Sequence, residues 1–271
     1  MKAKLVFWLV VLLGLGALTT FLLSPTKLIL PETAVGPAAL NLAILADIHS
    51  DLENLEKALT LIKQQNLEPV IILGDLTNLG KKADLEAVKT ILDHSQIPYF
   101  VIPGNHDLWF GRRTKANLFR EVFGPDFQTF KKAGYKFILV NNGDDYLGVS
   151  GITGEDNLSQ LDWLKTELKE CLNLDCLIFL HEPLNHPYSG NLMGEYSVSV
   201  ASEAAVLISL FKEFRVKEIF AGHLHLTNEY QLEGLKTTIV GAISADRNPQ
   251  QPNFLKILNL EQRENVFLPT D

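Results

Sequence analysis

The chain has 271 residues, 46% of them hydrophobic and 21% charged, enough apolar material for one globular domain with a sizeable core. Its 24 basic and 32 acidic side chains leave a formal charge of −8, with no basic run outside the first residues. That argues against DNA or RNA as the main substrate, because such binding leans on Lys and Arg contacts to phosphates.

The chain begins with an apolar run. Residues 5–23 are 19 consecutive uncharged, mostly apolar positions, preceded by Lys2 and Lys4. A run of that length can cross a bilayer as a helix, whereas the apolar part of a cleavable signal peptide is usually about 7–15 residues and ends at small residues. Gly14 and Gly16 mimic such an ending, but the run continues to Phe21-Leu22-Leu23-Ser24-Pro25. The length therefore favours an uncleaved single-pass anchor in residues 1–24, with secretion after signal cleavage as the alternative. Lys2, Lys4 and the amino terminus outnumber Lys27, so the positive-inside rule puts the N-terminus in the cytoplasm and the rest of the chain outside it. Residues 25–39, with Pro25, Pro31 and Pro37, read as a linker to a domain spanning 40–268.

The domain opens with a strand at 40–46, ending in Asp47-Ile48-His49. Ser50-Asp51-Leu52-Glu53 reads as a capping box with Ser50 as the cap, and Leu52, Leu55, Leu59 and Ile62 recur at helical spacing through Gln65. The strand at 70–73 is broken by Gly74, which delivers Asp75 just past its carboxyl end, where open α/β folds place their ligands. A helix at 84–94, a strand at 99–102 and the loop Pro103-Gly104-Asn105-His106-Asp107 complete a β-α-β-α-β order, which means parallel pairing through helical crossovers.

The second half opens with strands at 127–132 and 135–141 around the hairpin signal Ala133-Gly134. A strand at 147–152 leads to a helix carrying Leu161, Leu164 and Leu168 on one face, then a strand at 176–180 that ends at His181. A helix at 200–214 precedes a strand at 218–221 and the stretch Gly222-His223-Leu224-His225, and strands follow at 229–232, 237–240, 254–259 and 265–268. Two mixed β-sheets packed face to face with helices outside account for this order: an αββα sandwich of the α/β class (α+β by some schemes), preceded by one transmembrane helix. Cys171 and Cys176 form no CxxC pair and are either ordinary thiols or, outside the cytoplasm, a short-loop disulfide.

Chemistry-bearing residues gather at the strand ends. Asp47 and His49, Asp75, Asn105 with His106 and Asp107, His181, and His223 with His225 fall there, and these stretches hold five of the seven histidines. Imidazole, carboxylate and amide-oxygen donors together suit Mn²⁺, Fe or Zn²⁺ better than a thiolate-demanding or all-oxygen ion. A carboxylate between two ions can bridge them with its two oxygens, the role expected of Asp75.

These stretches, in this order, resemble the calcineurin-like metallophosphoesterase family, whose pattern is D-x-H, G-D-x-x-[DN], G-N-H-[DE], a lone H and G-H-x-H. The resemblance covers roughly residues 40–268, and Gln160 with Trp163-Leu164 is similar to the family's Q-x-x-W-L helix. It implies a phosphate-ester hydrolase with two divalent or trivalent ions, Mn, Fe or Zn, about 3.5–4 Å apart. Asp47, His49 and His225 would hold the first ion, Asn105, His181 and His223 the second, and Asp75 would bridge. A metal-bound hydroxide would attack the phosphate, His106 would act as general acid and Asp107 would orient it.

Around this set stand residues with two readings. Asn78 either supports the site or sits in a turn. Arg112, Arg113 and Arg247 clamp a substrate phosphate or lie solvated, and His186, in the loop 182–199, touches substrate or is exposed. His94 has no expected role. The anchor and the loop residues Leu192, Met193 and Tyr196 suggest a lipid-linked substrate, while the rival class is an idle scaffold that keeps the fold as a protein-binding surface.

Overall fold

The structure, a computed structural model, describes residues 39–109, 117–143, 159–195, 197–248 and 251–269. The expected anchor, nearly all of the linker, the strand at 147–152, Arg112, Arg113 and Tyr196 lie outside these residues. Among the described residues no helix is long and apolar enough to cross a membrane.

Five strands form the first sheet: β1 (Leu42–Leu45), β2 (Val70–Leu73), β3 (Tyr99–Ile102), β10 (Asn253–Asn259) and β11 (Gln262–Phe267), in the order β11-β10-β1-β2-β3. β1, β2 and β3 run parallel, joined by α1 (Leu52–Gln64) and α2 (Lys82–Ser95), while β10 and β11 add an antiparallel hairpin. The second sheet contains β4 (Gln128–Lys132), β5 (Tyr135–Leu139), β6 (Asp175–Phe179), β7 (Glu218–Ala221), β8 (Asn228–Leu232) and β9 (Leu235–Ile239), in the order β4-β5-β6-β7-β9-β8. Its centre is parallel, and antiparallel hairpins close both edges.

Strand periodicity builds three layers of core. Ala43, Leu45, Val70 and Ile72 face α1 and α2, packing on Leu55, Leu59, Leu85 and Val88. Leu42, Ile44, Ile71 and Leu73, one residue out of phase, turn the other way onto Phe137, Leu139, Leu177 and Phe179 of the second sheet. Ile138, Ile178 and Ile219 face outward under the helices Gln160–Leu168 and Val198–Glu213. Both faces of the central strands are thus buried, so their sequences read as continuous apolar runs rather than alternation. Truncating one of these side chains, Leu73→Ala for example, costs about 2–5 kcal/mol. Between the sheets Phe100, Phe130, Phe137, Phe179 and Phe220 stack in sequence, with centroids 3.9, 4.4, 5.6 and 5.1 Å apart.

One local expectation is corrected and one open alternative is settled. The cap of α1 is Asp51, whose carboxylate accepts from Asn54 N at 3.1 Å, and not Ser50. Ser50 has φ +62°, its N–H is committed to Leu76 O, and its hydroxyl is buried without a partner. Cys171 and Cys176 are disulfide-bonded, tying the 3₁₀ turn Lys169–Leu172 to β6.

Candidate metal centre

Five parallel strands deliver the site. Asp47 and His49 follow β1, Asp75 follows β2, and Asn105, His106 and Asp107 lie in the short helix α3 (Asn105–Leu108) after β3. His181 follows β6, and His223 and His225 follow β7, so both sheets contribute from their carboxyl edges. The backbone is bent hard here. Of twelve non-glycine residues with left-handed φ among the described residues, six are Asp47, His49, Ser50, Asp75, His223 and His225. Asp, Asn and His tolerate that conformation best, yet each instance costs free energy that the surrounding structure must cover, and such residues cluster at functional sites.

Close backbone approach explains two glycines. A Cβ on Gly104 would stand 2.1 Å from Asp75 Oδ1, and one on Gly74 would stand 2.5 Å from Gly104 N. No side chain fits at either place.

The side chains converge in two groups that share Asp75. Asp47, His49, Asp75 and His225 bring one potential ligand atom each within 4.8 Å of one another, and Asp75, His181 and His223 do the same. Asp75 Oδ2 lies 3.4 Å from His49 Nε2 and Asp75 Oδ1 lies 3.4 Å from His181 Nε2. His225 Nε2 is 3.6 Å from Asp47 Oδ1, and Asn105 Oδ1 is 2.9 Å from His181 Nε2. All seven expected ligand positions are therefore brought together.

This donor set fits two cations. His49 Nε2 and His225 Nε2 face each other at 3.2 Å, as do His181 Nε2 and His223 Nδ1 at 3.3 Å, and His49 Nδ1 is buried without a hydrogen-bond partner. Nitrogens aimed at one another beside buried carboxylates are satisfied by a positive ion between them. Burial holds His49 and His223 down at about 3 and His225 at about 4, so all three are neutral imidazoles, the form a metal requires. Burial also pushes Asp47 up to about 8, with the His181 charge opposing and the Asp75 charge adding. For Asp75, burial raises the pKa, but His181 and His49 outweigh it and hold the carboxyl well below the usual range.

Supporting contacts fix the ligands. His181 Nδ1 donates to Leu73 O at 2.7 Å, leaving Nε2 for the centre, and His223 N donates to both Asp47 oxygens at 3.1 and 3.0 Å. His106 N donates to Asp75 Oδ1 at 2.9 Å. Asn78 reaches both sides: its Nδ2 donates to His49 O at 2.9 Å, and its carbonyl accepts from His106 Nδ1 at 2.8 Å.

The expected orienting contact from Asp107 to His106 is absent, and Asn78 takes that place. Asp107 turns inward and accepts from Leu76 N, Gly104 N, Thr77 N and Thr77 Oγ at 2.9–3.0 Å. Four inward donors outcompete one imidazole nearer the surface. Burial and then the Asp75 charge push its carboxyl up to about 7, against the pull of those donors.

Asn142 was not singled out from sequence, yet its Oδ1 accepts from His181 N and Glu182 N at 2.8 and 3.1 Å. Gln160 clamps the neighbouring Asn141 backbone through both amide atoms at 2.8 Å, which gives the Q-x-x-W-L helix its purpose. His186 accepts from Tyr188 N and Ser189 N at 3.2 and 2.9 Å and packs edge-on to Tyr230, so it shapes its loop. Arg247 is exposed, and its charge is felt by His49 and His225.

The calcineurin-like phosphoesterase family model matches residues 40–226, a span that contains all seven converging residues. The chain belongs to this family. As a calcineurin-like phosphoesterase it is a metal-dependent hydrolase of phosphoric esters. It is similar to a probable cyclic nucleotide phosphodiesterase of Vesicomyosocius okutanii subsp. Calyptogena okutanii, 28% identical over 183 residues, 68% of this chain and 73% of that protein. A 3′,5′-cyclic-nucleotide phosphodiesterase of Nostoc sp. is 26% identical over 200 residues, 69% of this chain and 71% of that one. Among solved structures, a dimetal phosphatase from Danio rerio superposes with a TM-score of 0.58 over 86% of this chain and 100% of that one. At 14% identity that likeness shows the fold alone.

Proposed function

We propose that this metallophosphoesterase is a phosphodiesterase, tethered by its N-terminal segment with the catalytic domain outside the cytoplasm. One observation carries the dinuclear reading. Asp75 points one oxygen at His49 and the other at His181, each 3.4 Å away, so one carboxylate serves both ligand groups. Asp47, His49 and His225 would then hold one ion, Asn105, His181 and His223 the other, with Asp75 shared between the two groups. When bound, such a pair clamps the phosphate, lowers the pKa of a water and stabilises the attacking and leaving oxygens.

His106 supplies the proton. Its Nδ1–H is committed to the Asn78 carbonyl, which leaves Nε2 for substrate. Nε2 carries a proton when the ring is an imidazolium, and that proton passes to the departing oxygen. Oxygen from water bonds to phosphorus, the ester P–O bond breaks, and a diester yields a monoester and an alcohol. The names of the relatives support a diester substrate. The Cys171–Cys176 disulfide supports an oxidising location, and a tethered domain suits a substrate at the membrane, including a lipid-linked one.

Metal-reconstituted protein tests the reading directly. Elemental analysis should give two ions per chain, and hydrolysis of bis(nitrophenyl) phosphate should exceed that of nitrophenyl phosphate. A single ion, or turnover of the monoester alone, would overturn it. The idle-scaffold reading predicts neither ions nor turnover, and this site has every ligand such a scaffold would be expected to lose.

A further inference from the structure

Two large exposed apolar residues, Leu79 and Trp109, lie in the segments that hold His106. Trp109, 50% exposed, follows α3, and its N–H donates to His106 O at 3.4 Å. That turn sets the indole 5.8 Å from the His106 ring, with 30° between their planes. Leu79, 41% exposed, follows Asn78, whose carbonyl holds His106 Nδ1. Gly80 then packs so tightly on α3 that a Cβ there would stand 1.9 Å from Asp107 O, tying the Leu79 loop to the Trp109 turn. His106 stands edge-on to His49 at 4.8 Å and 81°, so three rings lead from the first ligand group to the indole.

Single exposed apolar residues are ordinary on a protein surface. These two are carried by the two segments that hold His106, the residue that faces the leaving oxygen under the phosphodiesterase reading, on which this inference rests. Whatever is attached to that oxygen comes to lie near Trp109. A small hydrated alcohol leaves the indole wet, whereas a planar ring covers it by stacking, and every nucleobase presents such a face. We propose that Trp109 is the specificity platform that stacks the nucleobase or aryl part of the leaving group.

The test compares wild type, Trp109→Ala and Trp109→Phe, all metal-loaded, on 3′,5′-cyclic AMP and on glycerophosphoethanolamine. In Trp109→Ala the ratio of kcat/KM for the nucleotide to that for the glycerol diester should fall about 10- to 100-fold, mostly through KM, the scale of one lost base–aromatic stack. Trp109→Phe, which keeps an aromatic face, should restore most of the ratio. Calorimetric titration with AMP and with glycerol 3-phosphate gives a readout independent of turnover: Trp109→Ala should weaken AMP more. If wild type cleaves neither diester but AMP binding still depends on Trp109, the diesterase reading fails and the platform stands. Equal losses on both ligands, or no rescue by Phe, would overturn the platform.

Discussion

Asp107 accepts both the backbone N–H and the hydroxyl of Thr77 at 2.9 Å, while its other oxygen takes Leu76 N and Gly104 N at 3.0 Å. One buried carboxylate therefore joins the loop after β2 to the loop after β3, on either side of Asp75. Its work is to hold the bridging residue's surroundings in place.

Asp107→Asn should accordingly be a stability variant. Three of the four partners of Asp107 are backbone N–H groups that cannot accept, so whichever side the new NH₂ faces leaves at least one of them unsatisfied. The expected loss is about 2–5 kcal/mol in denaturant unfolding, with reduced metal content. Unchanged unfolding with lost turnover would instead restore the role expected from sequence, that of orienting His106.

That contrast marks the limit of what the sequence discloses. Residue types at strand ends were legible because short apolar runs, broken by glycine after β2, β3 and β7 and by Asp47 and His181 elsewhere, announce where a sheet's carboxyl edge lies, and so the seven residues that converge here could be picked out. The strands β2, β3 and β7 fall where their runs predict. The partner of Asp107 was not legible, since Thr77 is thirty residues away and only the packing of two loops brings them together. Asn142 follows β5 with no motif around it. Ser50 and Asp51 are both good caps side by side, and the left-handed backbone at Ser50 decides between them. The cysteine spacing alone fitted both a thiol pair and the disulfide observed.

Shared and private ligands should separate by mutation. Asp75→Asn replaces an oxygen facing one of the two groups with NH₂ and removes the negative charge between them, so both ions should be disturbed. Activity should fall on the order of 10²–10⁴-fold, since the clamp needs both ions. His225→Ala should weaken mainly the first ion and His181→Ala mainly the second. Two tightly held ions with near-normal turnover in Asp75→Asn would rule out bridging.

Metal loading should release protons at pH 7. Burial pushes Asp47 up to about 8, and although burial lowers His181, the charges of Asp75 and Asp47 raise it to about 10. Both values lie above those of the unfolded chain. Their stabilisation is therefore full only below the unfolded values and is lost as pH rises through about 8 and then about 10 in the metal-free protein. The Tm of metal-free protein should fall over that window while loaded protein holds. Ions must displace these protons, so the binding enthalpy should depend on the buffer's own protonation enthalpy. A buffer-independent enthalpy would show that neither group carries a proton.

Residues 5–23 should retain the full-length protein in membranes through carbonate and high-salt washing, because 19 apolar residues inserted as a helix are not released by screening charge. Soluble protein lacking residues 1–24 would establish a cleaved signal instead.

The role of His106 can be separated from metal binding by changing the leaving group. Its Nδ1 is bonded to Asn78 O and its backbone N–H to Asp75, so neither contact uses Nε2. If Nε2 protonates the departing oxygen, its worth depends on how badly that oxygen needs a proton. An alkoxide leaves poorly, so His106→Ala should cost on the order of 10²–10⁴-fold on alkyl diesters. A nitrophenolate departs readily as an anion, and the same variant should lose far less on a nitrophenyl diester. Metal content should stay near two ions per chain, since His106 stands outside both ligand groups. Asn78→Ala removes the amide donated to His49 O but keeps the carbonyl that holds His106, so it should weaken the first ion without reproducing this leaving-group dependence. Equal losses on both substrates, or a missing ion in His106→Ala, would show that His106 packs or ligates and does not deliver the proton.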